Sequence, residues 1–332
     1  MERSPGRALA CTALVATALG SYPVIFLGKS FVSPNYGTSL LYDTFPSLPG
    51  YDDMRKEDVR GSDAGAVMWA HLPLSFTERT ALLSGELPLW NRYGASGTTL
   101  LGQGQSMFGD PLHFFVLLAG ADAWTWDVKY LAAKFLFAFG MGLLAWRTSR
   151  HLGAATVIAG SSVFIGFYVY RINHPAIFSL GYAPWILVAW LAIADAPHRR
   201  ALVNRILCLL LANWSMLNSG TVKEAYMFLG ALNCTGALAL LMGSAPIKER
   251  LGRLALVGFA GATFLLLSAP VWLTFLDALR QSYSPYNTPT AYQIQPSFML
   301  GLFDEIFYRP LQQAERVSNP SANFVVLIGF LY

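Results

Sequence analysis

Apolar stretches of roughly 20 residues recur along this chain, and no other feature restricts its folding as much, because a helix of about that length crosses about 30 Å of hydrocarbon. Seven are readable, near residues 8 to 27, 128 to 146, 153 to 170, 176 to 194, 203 to 219, 225 to 243 and 254 to 276. Another opens at Asn323 and continues through Phe324-Val325-Val326-Leu327-Ile328-Gly329-Phe330-Leu331 to Tyr332, the last residue given. A backbone ending there would leave polar groups unsatisfied in lipid, so the sequence is expected to be part of something longer.

Composition agrees with the pattern. Of 332 residues, 54% are hydrophobic and 13% charged, with a mean hydropathy of +0.43, whereas a soluble domain carries about 25% charged residues. The expected fold class is therefore an all-α polytopic membrane protein, one transmembrane domain over 1–332 with a long first loop over 28–127 and a further segment over 277–322. The formal charge of +4 is small and no basic tract is present, so a nucleic-acid partner is not indicated. Cys11, Cys208 and Cys234 all fall in apolar stretches without a C-x-x-C pair, which indicates neither a disulfide framework nor zinc; they read as small core residues.

Orientation follows from the short connections. Arg3 and Arg7, then Arg147 and Arg150, then Arg199, Arg200 and Arg205, then Lys248, Arg250 and Arg253 occupy every second one. Cytoplasmic loops concentrate Lys and Arg, so the amino terminus is expected inside and the long loop outside. The turns Arg171-Ile172-Asn173-His174 and Ser219-Gly220-Thr221-Val222-Lys223-Glu224 fall outside with it. The first apolar stretch runs past the weak small-residue site Ala16-Thr17-Ala18 to Leu27, which fits an uncleaved span better than a signal peptide.

The outer loop looks built. The mixed-charge run from Asp52 to Arg60 reads as a solvated turn. After it, Val67, Ala70 and Leu74 recur at helical spacing, interrupted by Pro73, which predicts an amphipathic helix at the membrane surface, with Trp69, Trp90 and Tyr93 suited to the interface. Gly94, Gly97, Gly102, Gly104 and Gly109 then punctuate the chain up to Asp110-Pro111, without a phosphate-loop pattern.

Asp63 is the leading functional candidate, because a carboxylate beside lipid is costly without a task or a partner. Its alternative role is a helix N-cap before Ala64-Gly65-Ala66, and both roles are compatible in one side chain. Asp110, next to Pro111, has the stronger capping pattern. Arg171, His174 and Lys223, with Glu224, lie on the other outer turns, where they would gather around a phosphate or simply pair and snorkel to the interface.

The stretch Gly85-Glu86-Leu87-Pro88-Leu89-Trp90-Asn91, followed by Gly97, Gln105-Ser106 and Asp110-Pro111-Leu112, resembles the YfhO family of bacterial membrane proteins. The likeness extends to His174, Ala183-Pro184-Trp185, Ser219-Gly220, Lys223-Glu224 and Asn319-Pro320-Ser321-Ala322-Asn323-Phe324, while the family's Gly-Asp pair is split here as Gly61-Ser62-Asp63. That family is similar to the GT-C class of membrane glycosyltransferases. The resemblance implies a GT-C-like helical bundle in the bacterial cytoplasmic membrane, a polyprenyl-phosphate-linked sugar donor and a glycan, polymer or lipid acceptor.

Carried onto this sequence, the essential acidic residue of the first outer loop is Asp63, as general base. Glu224, with Asp110, would support the acceptor or a divalent cation, and Arg171, His174 and Lys223 would hold the phosphate. No spacing demands a metal ion. Two other classes stay open: a lipid or glycan transporter or flippase, and a non-catalytic envelope-assembly protein. The absence of an internal repeat, and spans nearly free of charge until their ends, weigh against the transporter.

Overall fold

The computed structural model describes residues 5–32, 67–94, 97–102, 105–165, 168, 175–220 and 222–281. Asp63, Arg171 and His174, the segment 282–322 and the stretch opening at Asn323 lie outside them. The described chain is helical apart from one antiparallel pair, β1 (Trp90–Asn91) with β2 (Thr98–Thr99), in which Trp90 faces Thr99 and Asn91 faces Thr98.

The helices in order are α1 (Pro5–Gly20), α2 (Tyr22–Phe26), α3 (Leu72–Leu83), α4 (Pro111–Ala119), α5 (Ala123–Ser149), α6 (Leu152–Ser162), α7 (Ala176–Ala194), α8 (Arg199–Leu217), α9 (Val222–Leu241), α10 (Ile247–Leu267) and α11 (Ala269–Gln281). Five of them are long and apolar enough to cross a membrane: α5, α7, α8, α9 from Glu224, and α10. This is the architecture of a multi-pass membrane protein.

Helix boundaries follow local chemistry. Asp122 accepts from Thr125 N at 2.9 Å to start α5, and His151 and His198 cap α6 and α8 by accepting from Ala154 N and Ala201 N. These side chains satisfy amide donors that the first helical turn leaves unpaired. Two predicted spans are divided. The stretch 8–27 becomes the 16-residue α1 and the five-residue α2, separated at Ser21 with Pro23 in the first turn of α2. The stretch 254–276 becomes α10, beginning earlier at Ile247, and α11, separated at Ser268 with Pro270 opening the second helix. In both places proline supplies no amide hydrogen for an uninterrupted ladder.

Helices α5 and α7 form the hub. Of the most apolar window of α7, 72% is buried, against 6% for α10, so α7 is central and α10 peripheral. Close approach at the hub depends on Gly140, where a Cβ would stand 2.7 Å from Pro184 of α7, the small-residue contact that apolar bundles use. Deeper in the bundle, Trp190 Nε1 donates to Asn233 Oδ1 at 3.0 Å and Asn233 Nδ2 to Asn213 Oδ1 at 2.6 Å, which ties α7, α9 and α8 together by side-chain hydrogen bonds. Contrary to the sequence expectation, Cys11, Cys208 and Cys234 are exposed. An apolar helix in a membrane has an apolar outer face too, so hydrophobic context does not distinguish core from lipid-facing positions.

The described part of the first loop, from Val67 onward, is folded onto one end of this bundle, hereafter the loop end. One π turn (Val67–His71) runs directly into α3, and Pro73 sits in the first helical turn, where proline is tolerated, so it does not interrupt the helix as the sequence pattern suggested. The glycine-rich stretch turns at Gly97, Gly102 and Gly109, all with positive φ. Gly97 lies against the Trp90 ring, where a Cβ would come within 2.5 Å, and Gly102 lies against Val271 O at 2.4 Å on the same basis; only glycine satisfies both requirements.

Candidate functional site

The loop is pinned by a buried chain of polar and charged side chains. Asp110 caps α4 by accepting from Leu112 N at 3.2 Å, and the same Oδ1 accepts from the Tyr182 hydroxyl of α7. Its Oδ2 meets Lys129 Nζ of α5 at 2.8 Å, with both side chains fully enclosed. Lys129 also stands 3.2 Å from His113 Nδ1 and 3.0 Å from Met107 Sδ, and 4.5 Å above the Phe178 ring. Beyond His113, Nε2 lies 3.2 Å from Glu78 Oε2 and 3.4 Å from Ser75 Oγ, which donates to His71 O at 2.7 Å. His71 Nδ1 reaches Gln105 O at 2.9 Å.

Hydrogen-bond logic fixes the protons. The Lys129 ammonium has only donors, so the facing His113 Nδ1 must be the acceptor and Nε2 carries the hydrogen given to Glu78. A neutral His113 follows. Burial holds its ring well below the ordinary histidine range, and the Lys129 ammonium and His71 push the same way. Burial raises the Glu78 carboxyl well above its usual range, only partly offset by Lys129 and the Ser106 hydroxyl. Asp110 with Lys129 is the ion pair of this chain, and Glu78 with His113 the part whose protonation burial perturbs most.

A second anchor lies beside the first. Asp127 Oδ1 accepts from Phe31 N at 2.7 Å and from Ser30 Oγ at 3.0 Å, which holds the segment after α2 against α5. Lys134 is buried, 3.3 Å from Ser21 Oγ and 5.0 Å above the Phe31 ring.

The outer turns converge at Gly220. Its φ is +103°, and a Cβ there would stand 2.5 Å from Met107 Cε and 2.8 Å from Pro175 Cβ. The turn that leads to Lys223 and Glu224, the residue next to His174 and the loop before Asp110 therefore meet at one point, one side chain away from Lys129. Ser179 and Ser219, hydroxyls 2.7 Å apart, close the same junction. A small crevice of about 10 Å³ opens nearby between Ser106, Phe108, Asn218, Tyr226 and Phe275, about what one water requires.

Of the residues singled out from sequence, Glu224 is half-buried in the first turn of α9, and Lys223 precedes it in that turn. Asp110 lies in the interior. It has no exposure, and its oxygens face Lys129, Tyr182 and Leu112 N, which ties the loop to α5 and α7. Among the described residues, no three His, Cys, Asp or Glu side chains are grouped to hold a metal ion.

Sequence reasoning passed over Glu78, His113, Lys129 and Lys134. A signal was present for two: Lys129 and Lys134 stand inside an apolar stretch, where an ionisable residue is a candidate by default. Glu78 gave none, since Thr77-Glu78-Arg79 looks like a solvated surface. No family model, no curated protein and no solved structure matches the chain.

Proposed function

We propose that the chain is a membrane glycosyltransferase of GT-C-like type, which moves a sugar from a polyprenyl-phosphate-linked donor to an envelope glycan, polymer or lipid acceptor on the outer face. The orientation set by the arginine-bearing connections makes the loop end the outer one. Asp63 is the general base, taking the proton of the acceptor hydroxyl as its oxygen attacks the anomeric carbon while the lipid phosphate departs. Arg171, His174 and Lys223 neutralise that phosphate, and Glu224 orients the acceptor.

The observation that carries this reading is the junction at Gly220. Pro175 follows His174 directly, Lys223 lies three residues beyond the glycine, and Met107 belongs to the loop that follows Asp63. Val67 is fully buried in the core, so Asp63 is at most about 14 Å of extended chain from the packed loop end. Four segments that the resemblance marks as functional are thereby tethered to one surface. A transporter is the second reading, and it is favoured by Lys134, a buried cation well inside α5, where an ionisable residue is a functional candidate by default.

The test uses the full-length protein in membranes supplied with a polyprenyl-phosphate sugar. Wild type is expected to transfer the sugar, and Asp63→Asn to lose about 10²–10⁴ in rate. Transfer by neither form, or a folded variant at the wild-type rate, overturns the catalytic reading; donor translocation without transfer establishes the second one.

A further inference from the structure

At the opposite end of the bundle, a cavity of about 270 Å³ lies between the ends of α5, α7 and α9 and the start of α10. It holds many times the roughly 10–15 Å³ that one water needs. Among the described residues, Arg147, Arg150, Arg250 and Arg253 line it against one carboxylate, Asp195. Measured along α5, at roughly 1.5 Å per residue, Arg147 is about 27 Å from Lys129, so the cavity belongs to neither the buried chain nor the Gly220 junction.

The four cations are not equally committed. Arg253 Nη1 donates to Ile193 O at 2.6 Å and to Ala194 O, and Nη2 donates to Ala196 O at 3.0 Å and to Glu249. It therefore closes the carboxyl end of α7. Arg250 caps Leu241 O of α9 through Nη1, yet its Nε is a buried donor without an acceptor among the described residues. Arg147 faces Asp195 at 3.7 Å, longer than a hydrogen bond. Arg150, exposed and in the left-handed conformation that ends α5, lies over the Trp146 ring at 5.4 Å. Three guanidinium groups thus border an open volume with one weakly engaged carboxylate.

We propose that this cavity binds a phosphate-bearing anion. Arginine's planar fork matches phosphate oxygens, and basic pockets between helices at a membrane surface suit anionic lipid headgroups. The Arg250 guanidinium lines the cavity wall, while Arg147 and Arg150 supply charge from the rim. A phospholipid headgroup and a soluble phosphate share this chemistry. Only the assignment of this end to the inner leaflet rests on the orientation used above.

The test takes purified full-length protein in neutral detergent. One arm adds phosphatidylglycerol, with phosphatidylcholine as reference, and counts bound lipid by native mass spectrometry. The other arm titrates inorganic phosphate and pyrophosphate and follows the unfolding temperature. Binding is expected in at least one arm and identifies the source: a headgroup if the lipid alone binds, a soluble phosphate if the second arm responds.

R147Q/R150Q should weaken binding by about tenfold or more, with an unliganded unfolding temperature like wild type, because neither side chain is spent on a helix carbonyl among the described residues. Arg150→Gln alone should give a smaller loss in the same direction. R199Q/R200Q removes two exposed arginines from the same end of the bundle but outside the cavity, and should leave binding intact. Absence of binding in both arms, or an equal loss in R199Q/R200Q, overturns the proposal.

Discussion

Two clusters of ionisable side chains, one at each end of this bundle, are used in opposite ways. At the loop end, Asp110, Lys129, Glu78 and His113 are almost completely buried, Asp110 meets Lys129 as an ion pair, and the neighbouring crevice has space for about one water. At the arginine end, the charges are nearly all positive, several are open to solvent, and they border a cavity of about 270 Å³. Buried opposite charges are tolerated only when each is paired and hydrogen-bonded, so the loop end is a fastening. Unbalanced charge beside an open volume is instead available to a ligand.

If the loop end is a fastening, the largest effect in the molecule comes from breaking it on one side. Lys129→Met leaves the Asp110 carboxylate enclosed without its cation and is expected to cost about 3–5 kcal/mol, seen as a marked fall in unfolding temperature in detergent. Replacing both partners, as K129M/D110N, removes the uncompensated charge and should recover much of that loss, since the amide oxygen introduced by D110N can still cap α4 and accept from Tyr182. A double variant no better than Lys129→Met would show that the pair is not the unit of stability.

A medium effect separates Glu78 and His113 from the Asp110–Lys129 pair. Glu78 in the folded protein has a pKa raised from 4.5, so its contribution is present below that value and is lost as pH rises toward the folded pKa. His113 has a pKa lowered from 6.5, so its contribution is present above that value and is lost as pH falls toward the folded pKa. Between them the slopes oppose each other. Glu78→Gln should leave the His113 dependence alone, making the protein increasingly acid-sensitive below about pH 6.5, whereas His113→Gln should make stability decline as pH rises above about 4.5. Unfolding temperature measured against pH checks both, and identical profiles in the two variants would break the assignment.

The contrast between the ends also explains what the sequence made legible. Long apolar stretches announce membrane-length helices because length and hydropathy are local properties, and the proline and glycine signals foretold turns at Gly97, Gly102 and Gly109. Arginines in alternate connections marked one end of the bundle. The fastening was hidden because its members lie apart in the chain: Glu78 and Arg79 sit in a polar run, His113 in an apolar one, and only the folding of α3 and α4 onto α5 brings them together. Arg79 itself proves structural, donating to Leu117 O and, at 3.1 Å, to Leu118 O at the end of α4. Asp110 was noticed for the right local reason, its cap, but its burial depends on Lys129 and Tyr182, which no spacing rule connects to it.

The smallest effects should appear at the arginine end, and they divide it into structural and available cations. Arg253 has a side chain only 12% exposed and satisfies the terminal carbonyls of α7, so Arg253→Gln is expected to cost about 1–3 kcal/mol through charged hydrogen bonds lost to buried acceptors. Arg147, 3.7 Å from an Asp195 side chain that is 59% exposed, should cost less than about 1 kcal/mol when replaced by Gln, and added salt should shrink that difference further. Thermal unfolding of the two variants at low and high ionic strength measures both. A large, salt-insensitive loss from Arg147→Gln would mean that this end is fastened like the other and that its rim charge is not free for a ligand.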